Sequence, residues 1–108
     1  MKTSELTGAA LDWAVAKCEG VVDERDFAWY WDRKDWFEYS TDWVLGGPII
    51  EREAIEIVPS ISGKLWYADM AGKPTARMER CPTPLIAAMR CYVASKLGDE
   101  VDVPKEVQ

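Results

Sequence analysis

The sequence predicts an α+β fold, a small antiparallel sheet packed against an N-terminal and a C-terminal helix, and three observations lead there. Apolar residues recur at helical spacing near both ends, three short alternating stretches lie between Ala54 and Glu79, and turn residues join those stretches. Periods of about 3.6 and 2 residues distinguish helix from strand, and Gly- and Pro-bearing connections mark turns. With 108 residues the chain has the size of one domain, 1–108. That is enough for one core and too little for two.

The first helix is read over Leu6 to Gly20, with Leu11, Ala14, Val15 and Cys18 on one face and Trp13 beside it. Thr7 is placed to cap its start, and Gly20 to end it in the left-handed conformation. Between Asp23 and Trp43 eight aromatic residues are interleaved with seven acids and three bases. Two aromatic runs, Phe27 to Trp31 and Trp36 to Ser40, flank Asp32-Arg33-Lys34-Asp35, a pattern that suits a β-hairpin. Gly46-Gly47-Pro48 is expected to break regular structure and form a loop after a short helical turn. Ala54 to Pro59, Lys64 to Met70 and Thr75 to Glu79 then alternate well enough to form an antiparallel meander, turning at Ser62-Gly63 and at Ala71-Gly72-Lys73-Pro74.

The last helix has the clearest boundaries. Thr83 is a good N-cap, Pro84 is preset for the first helical position, and Gly98 follows the last periodic residue, Leu97. Little of its circumference is polar, so most of it should be covered. The acidic tail 99–108 carries no pattern that would order it.

Composition excludes several functions. A hydrophobic share of 48% lies far from the low-hydrophobicity corner where disorder is found. No run approaches the length needed to cross a bilayer, and no basic-then-apolar leader is present, so the chain is expected to be made and used in the cytoplasm. A formal net charge of −6 argues against direct DNA binding, which depends on cations displacing phosphate counterions. Cys18, Cys81 and Cys91 lack the spacing of a disulfide framework or a zinc site and are expected to be reduced thiols. With no histidine, a Ser-His-Asp or Cys-His arrangement cannot be built.

Candidate binding residues follow from chemistry. Arg90 sits on a mostly apolar helix, so its guanidinium must be paired with a carboxylate, stacked on a ring, or placed against a bound anion. The helix start at Thr83 offers free backbone donors to an anion. Gly46 and Gly47 could bring backbone N–H groups close to a ligand, and Trp43, beside Asp42, is the best stacking candidate. Trp13 on its helix face and Trp66 in a strand look like core residues, whereas Trp29, Trp31 and Trp36 exceed what one hairpin can bury and point to an exposed contact patch. Carboxylate pairs such as Asp42 with Glu51, or Glu51 with Glu53, are the only acid–base option, and with 19 acidic residues some pairs lie close by chance.

Three segments carry a family resemblance. They are Leu6 to Ala16, then Ser40-Thr41-Asp42-Trp43 with Gly46 to Glu53, and Pro82 to Gly98. In these the chain resembles a family of small proteins of lambdoid and related tailed phages, often called NinX-like. The resemblance implies an accessory phage protein acting inside an infected bacterium and brings no reaction, cofactor or catalytic residue with it. It fails over Asp23 to Tyr39. The resulting expectation is a non-enzymatic protein that sequesters a small anionic, nucleotide-derived ligand of host defence. Trp43 would stack, Arg52 and Arg90 would hold charged groups, and Trp13, Asp42, Gly46, Gly47 and Thr83 would complete the pocket. The rival expectation is a protein-interaction inhibitor that covers a host or defence protein through Trp29, Trp31 and Trp36, with homo-oligomerisation open.

Overall fold

A computed structural model describes the backbone of residues 1–108 and every side chain except that of Glu24. In chain order the elements are α1 (Gly8–Cys18), α2 (Phe27–Asp32), α3 (Trp43–Glu53), β1 (Glu56–Pro59), β2 (Trp66–Asp69), β3 (Met78–Cys81) and α4 (Pro84–Leu97). Short 3₁₀ turns lie at Thr3–Glu5, Glu24–Asp26, Lys34–Phe37, Pro74–Ala76 and Lys105–Val107. The α+β class stands, as does the meander: the strands pair antiparallel in the order β1-β2-β3, although the third lies at Met78–Cys81 rather than Thr75 to Glu79, because Pro74–Ala76 forms a 3₁₀ turn.

Helix α4 is the centre of the molecule. Every residue from Leu85 to Ala94 is buried, because the helix packs on all three strands, on α1 and on α3. Its ends form as their chemistry requires: the Thr83 hydroxyl accepts from the Ile86 amide at 3.0 Å, and Gly98 has φ +85°. Helix α1 is covered from Ala10 to Ala16. Thr7 occupies its N-cap position with extended dihedrals, although its side chain makes no capping bond.

The sheet is registered with Glu56 opposite Asp69 and Val58 opposite Tyr67, and with Trp66 opposite Cys81. Ala68, Met78 and Cys81 are buried towards α4. The opposite face is uncovered. The tail is ordered by pairing with the N-terminus: Lys2 bridges Glu100, the Val101 amide donates to the Met1 carbonyl at 2.8 Å, and Val101, Val103 and Val107 are buried.

Two expectations fail. The aromatic stretch is helical, not a hairpin. Asp23 accepts from the Arg25 amide and Asp26 from the Trp29 amide, so two aspartates cap successive turns. Phe27 then meets Tyr30 and Trp31 with ring centroids 6.1 and 5.8 Å apart, the i,i+3 and i,i+4 contacts of a helix. Gly46-Gly47-Pro48 is not a loop either, but the middle of α3. Proline clashes with the Cβ of the residue before it, and Gly47 has none. The carbonyl of Val44 that Pro48 leaves without a helical donor lies on a residue that is 79% exposed, where water can serve it. Gly46 faces inward: a Cβ there would stand 2.5 Å from Leu85 Cδ1 and 2.8 Å from the Tyr39 carbonyl oxygen.

Candidate functional site

The residues expected to share an anion pocket are not brought together. Trp43 opens α3 and Arg52 lies near its end, a separation of about 13 Å at the helical rise of about 1.5 Å per residue. Asp42 is an N-cap, accepting from the Val44 amide at 2.9 Å. Gly46 packs on Leu85, and Gly47 faces open space. Thr83 caps α4, and Trp13 is core, 1% exposed, with its indole N–H unpaired among the described residues. Of the two candidate tryptophans, Trp43 alone keeps an open face, at 52% exposure.

Arg52 is engaged within the chain. Its Nη1 and Nη2 donate to the two carboxylate oxygens of Glu19 at 3.1 and 2.7 Å, its Nε donates to Glu53 at 2.9 Å, and Tyr92 Oη accepts at 3.2 Å. The Tyr92 hydroxyl in turn donates to Glu19 at 2.5 Å. Glu19 sits at the C-terminal end of α1, where the helix dipole disfavours an anion, and a bidentate guanidinium offsets that. The hydrogen bonds from Arg52 hold the Glu19 carboxyl below its usual range, while burial and Glu19 push the Tyr92 phenol up. This network joins α1, α3 and α4 and engages all three guanidinium nitrogens.

Arg90 is 9% exposed, and its Nε donates to the Leu6 carbonyl at 2.7 Å. Among the described residues no carboxylate lies within ion-pair distance of it. It fastens α4 to the segment before α1.

The tryptophans of the acidic stretch are exposed in two groups, Trp29 with Trp36 beside Arg33 and Trp31 beside Phe27 and Lys34. Trp29, Trp31 and Trp36 are 39%, 37% and 63% exposed. Phe37 packs against two of them, with ring centroids 6.1 Å from Trp29 and 6.4 Å from Trp36, and stacks on the buried Tyr30 at 5.8 Å, whereas Trp31 packs on Phe27 at 5.8 Å. The Arg33 guanidinium lies over Trp29 at 4.7 Å and the Lys34 ammonium over Trp31 at 3.7 Å, so cations already rest on these rings.

Two cavities escaped the sequence reading. One, of about 600 Å³, lies on the uncovered sheet face between Val58, Tyr67 and the Ser60–Ser62 turn, where Ile61 is fully exposed. Its guanidinium, that of Arg77, is paired with Asp69 and Glu79. The other, of about 290 Å³, opens between the start of α1 and the aromatic stretch, lined by Gly8, Asp12, Tyr30, Lys34, Asp35 and Glu38 among others. Asp12 is 8% exposed and accepts from the Ser40 amide at 2.8 Å. Burial raises its pKa, hydrogen bonding from Ser40 acts the other way, and the charge of Glu38 adds to the rise. Among the described residues no group of three or more His, Cys, Asp or Glu is placed to hold a metal, and no helix is long and apolar enough to cross a membrane.

The family described as Bacteriophage P22, NinX matches residues 2–96. The chain belongs to this family. No curated protein matches it. The NinX match runs through α1, the aromatic stretch, α3 and the whole sheet, and stops one residue short of the end of α4. It therefore includes Asp23 to Tyr39, where the motif resemblance was not legible. Membership identifies a phage accessory protein of NinX type and assigns no site.

Proposed function

We propose that this NinX-family chain is a non-enzymatic phage accessory protein that covers a cationic surface of a host or defence protein through its exposed Trp29, Trp31 and Trp36. The observation that carries the reading is the exposure of three tryptophans on one short stretch, in a fold whose helices α1 and α4 are otherwise covered. Tryptophans are among the commonest hot-spot residues of protein interfaces. The partner is taken to be basic because of the net charge of −6 and because Arg33 and Lys34 already stack on these rings, in the way a partner's arginines could. The test is capture from host lysate, followed by binding of the purified partner to the wild type and to a Trp29→Ala, Trp31→Ala, Trp36→Ala variant that retains its circular dichroism. Binding that weakens with salt and vanishes in the variant supports the reading. Undiminished binding by the folded variant ends it.

A second reading is favoured by Arg90, which has no carboxylate partner among the described residues. It is sequestration of a small anionic, nucleotide-derived ligand that counters host defence, with Arg90 as the anchor and without Arg52. Thermal shift against cyclic nucleotides and ADP-ribose tests it: stabilisation lost in Arg90→Gln supports it, and none at millimolar ligand removes it.

A further inference from the structure

The cavity beside the aromatic face has a chemistry of its own. Asp12, Asp35 and Glu38 line it, and among the described residues none of them has a cation within ion-pair distance. The one cation on its wall, Lys34, holds its ammonium over Trp31. Acids alone on a surface are solvated and signify little. Tyr30 is the independent observation. It is 1% exposed, it lines the cavity, and its hydroxyl makes no hydrogen bond within the chain among the described residues. That oxygen is not among the sealed, unpartnered atoms, which are Trp13 Nε1 and Ser40 Oγ, so it opens on the cavity. The charge of Asp12 is felt there, since after burial it is the largest cause of the rise in the Tyr30 pKa. Asp12 is buried and its carboxylate is hydrogen-bonded by Ser40, whose amide donates to Oδ1 at 2.8 Å. The Tyr30 oxygen is therefore the acceptor left without a donor at the wall of the cavity, beside the Asp12 charge.

The geometry points to this cavity as a receptor for a lysine side chain of a partner protein, its ammonium donating to Tyr30 Oη in the field of the Asp12 carboxylate, with Glu38 and Asp35 around the entrance. A compact ammonium suits an acceptor that stands singly, whereas a guanidinium needs paired acceptors, and the Asp12 carboxylate is already engaged by Ser40. The acids surrounding the site lower the cost of desolvating the incoming cation. The owner of the lysine rests on the protein-interaction reading above, because Lys34 and Asp35 lie between Trp31 and Trp36 in the chain. The recognition itself does not rest on it.

The experiment uses the full chain and a defined probe. N-acetyl-lysine methylamide and its uncharged isostere N-acetyl-norleucine methylamide are titrated into ¹⁵N-labelled protein, and the amides of Gly8, Ala9 and Thr41, all on residues that line the cavity, are followed. Saturable shifts at these amides with the lysine probe and none with norleucine are expected. Tyr30→Phe keeps the buried ring and Glu38→Gln alters an exposed residue, so both should fold; Tyr30→Phe is expected to weaken the probe about tenfold or more, the range of one charge-assisted hydrogen bond, and Glu38→Gln about twofold to fivefold. Absence of saturable shifts at millimolar probe, equal shifts with norleucine, or affinity unchanged in both variants overturns the proposal. Partner capture through the tryptophans does not depend on this titration, so the two readings fail separately.

Discussion

Gly46→Ala is expected to destabilise the fold even though alanine is the better helix former. The added methyl would stand 2.5 Å from Leu85 Cδ1, 3.4 Å from Leu85 Cγ and 2.8 Å from the Tyr39 carbonyl oxygen. Non-bonded carbons prefer about 3.5–4.0 Å, so two of these contacts lie well inside the repulsive wall. Leu85 is 2% exposed and has little room to swing away, and the Tyr39 oxygen belongs to backbone that ends in the Asp12–Ser40 hydrogen bond. Overpacking of this kind costs about 1–3 kcal/mol, and replacing glycine within a helix returns up to about 1 kcal/mol. A net loss of about 1–2 kcal/mol corresponds to a fall in melting temperature of about 5–15 °C for a chain of this size. Gly47→Ala is the control, because nothing lies within 4 Å of its Cβ position. There the helix-propensity gain is set against the clash of the new Cβ with the Pro48 ring, leaving stability within about 1 kcal/mol of wild type. Thermal and urea melts followed by circular dichroism measure both. A Gly46→Ala variant that melts at or above the wild-type temperature refutes the close approach of α3 to α4.

The Glu19 network gives a pH-dependent prediction. Glu19 has its folded pKa depressed below the ordinary 4.5, so the stability it confers is present above that value and is lost as pH falls through the folded pKa. Glu19→Gln is expected to flatten that acid limb while costing only about 0.5–1 kcal/mol near neutrality, since the amide still accepts from Tyr92 and Arg52 is half exposed; an acid limb identical to wild type would remove Glu19 from its cause. Burial pushes the Cys91 thiol up to about 12 and the Cys18 thiol up to about 11, so both should resist alkylation by iodoacetamide at pH 8 in the native protein and react on unfolding. Rapid native labelling of Cys91, measured by mass spectrometry, would contradict its burial.

Local chemistry proved legible where it was decisive on its own. Thr83, Pro84 and Gly98 bound α4 through a side-chain cap, a preset dihedral and a positive φ that glycine tolerates, and the turn residues between Ala54 and Glu79 separate strands that do pair in sequence order. The aromatic stretch is helical against its β propensity, because Asp23 and Asp26 cap successive turns and the rings spaced i,i+3 and i,i+4 from Phe27 meet on a helix. Gly46-Gly47-Pro48 misled for a subtler reason: the residues that usually break a helix also remove the crowding that makes proline intolerable there. The site was harder still. The partner of Arg52 is Glu19, 33 residues earlier, and no local pattern announces that pairing. Asp12 reads as the polar edge of α1, and only the fold sets it against Ser40 and the Tyr30 wall.

The distribution of satisfied and unsatisfied groups argues where the surface acts. Most of the chain's guanidinium groups are used internally, Arg25 on Asp23, Arg33 on the Trp29 carbonyl, Arg52 on Glu19 and Glu53, Arg77 on Asp69 and Glu79, Arg90 on the Leu6 carbonyl. An anion approaching one of these guanidinium groups would have to displace its existing partner, which costs the new contact most of its benefit. Around the aromatic stretch the balance reverses: Asp35 and Glu38 carry no ion pair among the described residues, three tryptophans stand open, and Tyr30 leaves an acceptor unpaired. Phe37 stacks on Tyr30 and Tyr39, so this face has its own small aromatic support and is fastened to the fold through Asp12 and Ser40. A face held in that way can change its exposed residues without disturbing α1, α4 or the sheet. That freedom is what an accessory protein needs if one scaffold is to meet different partners.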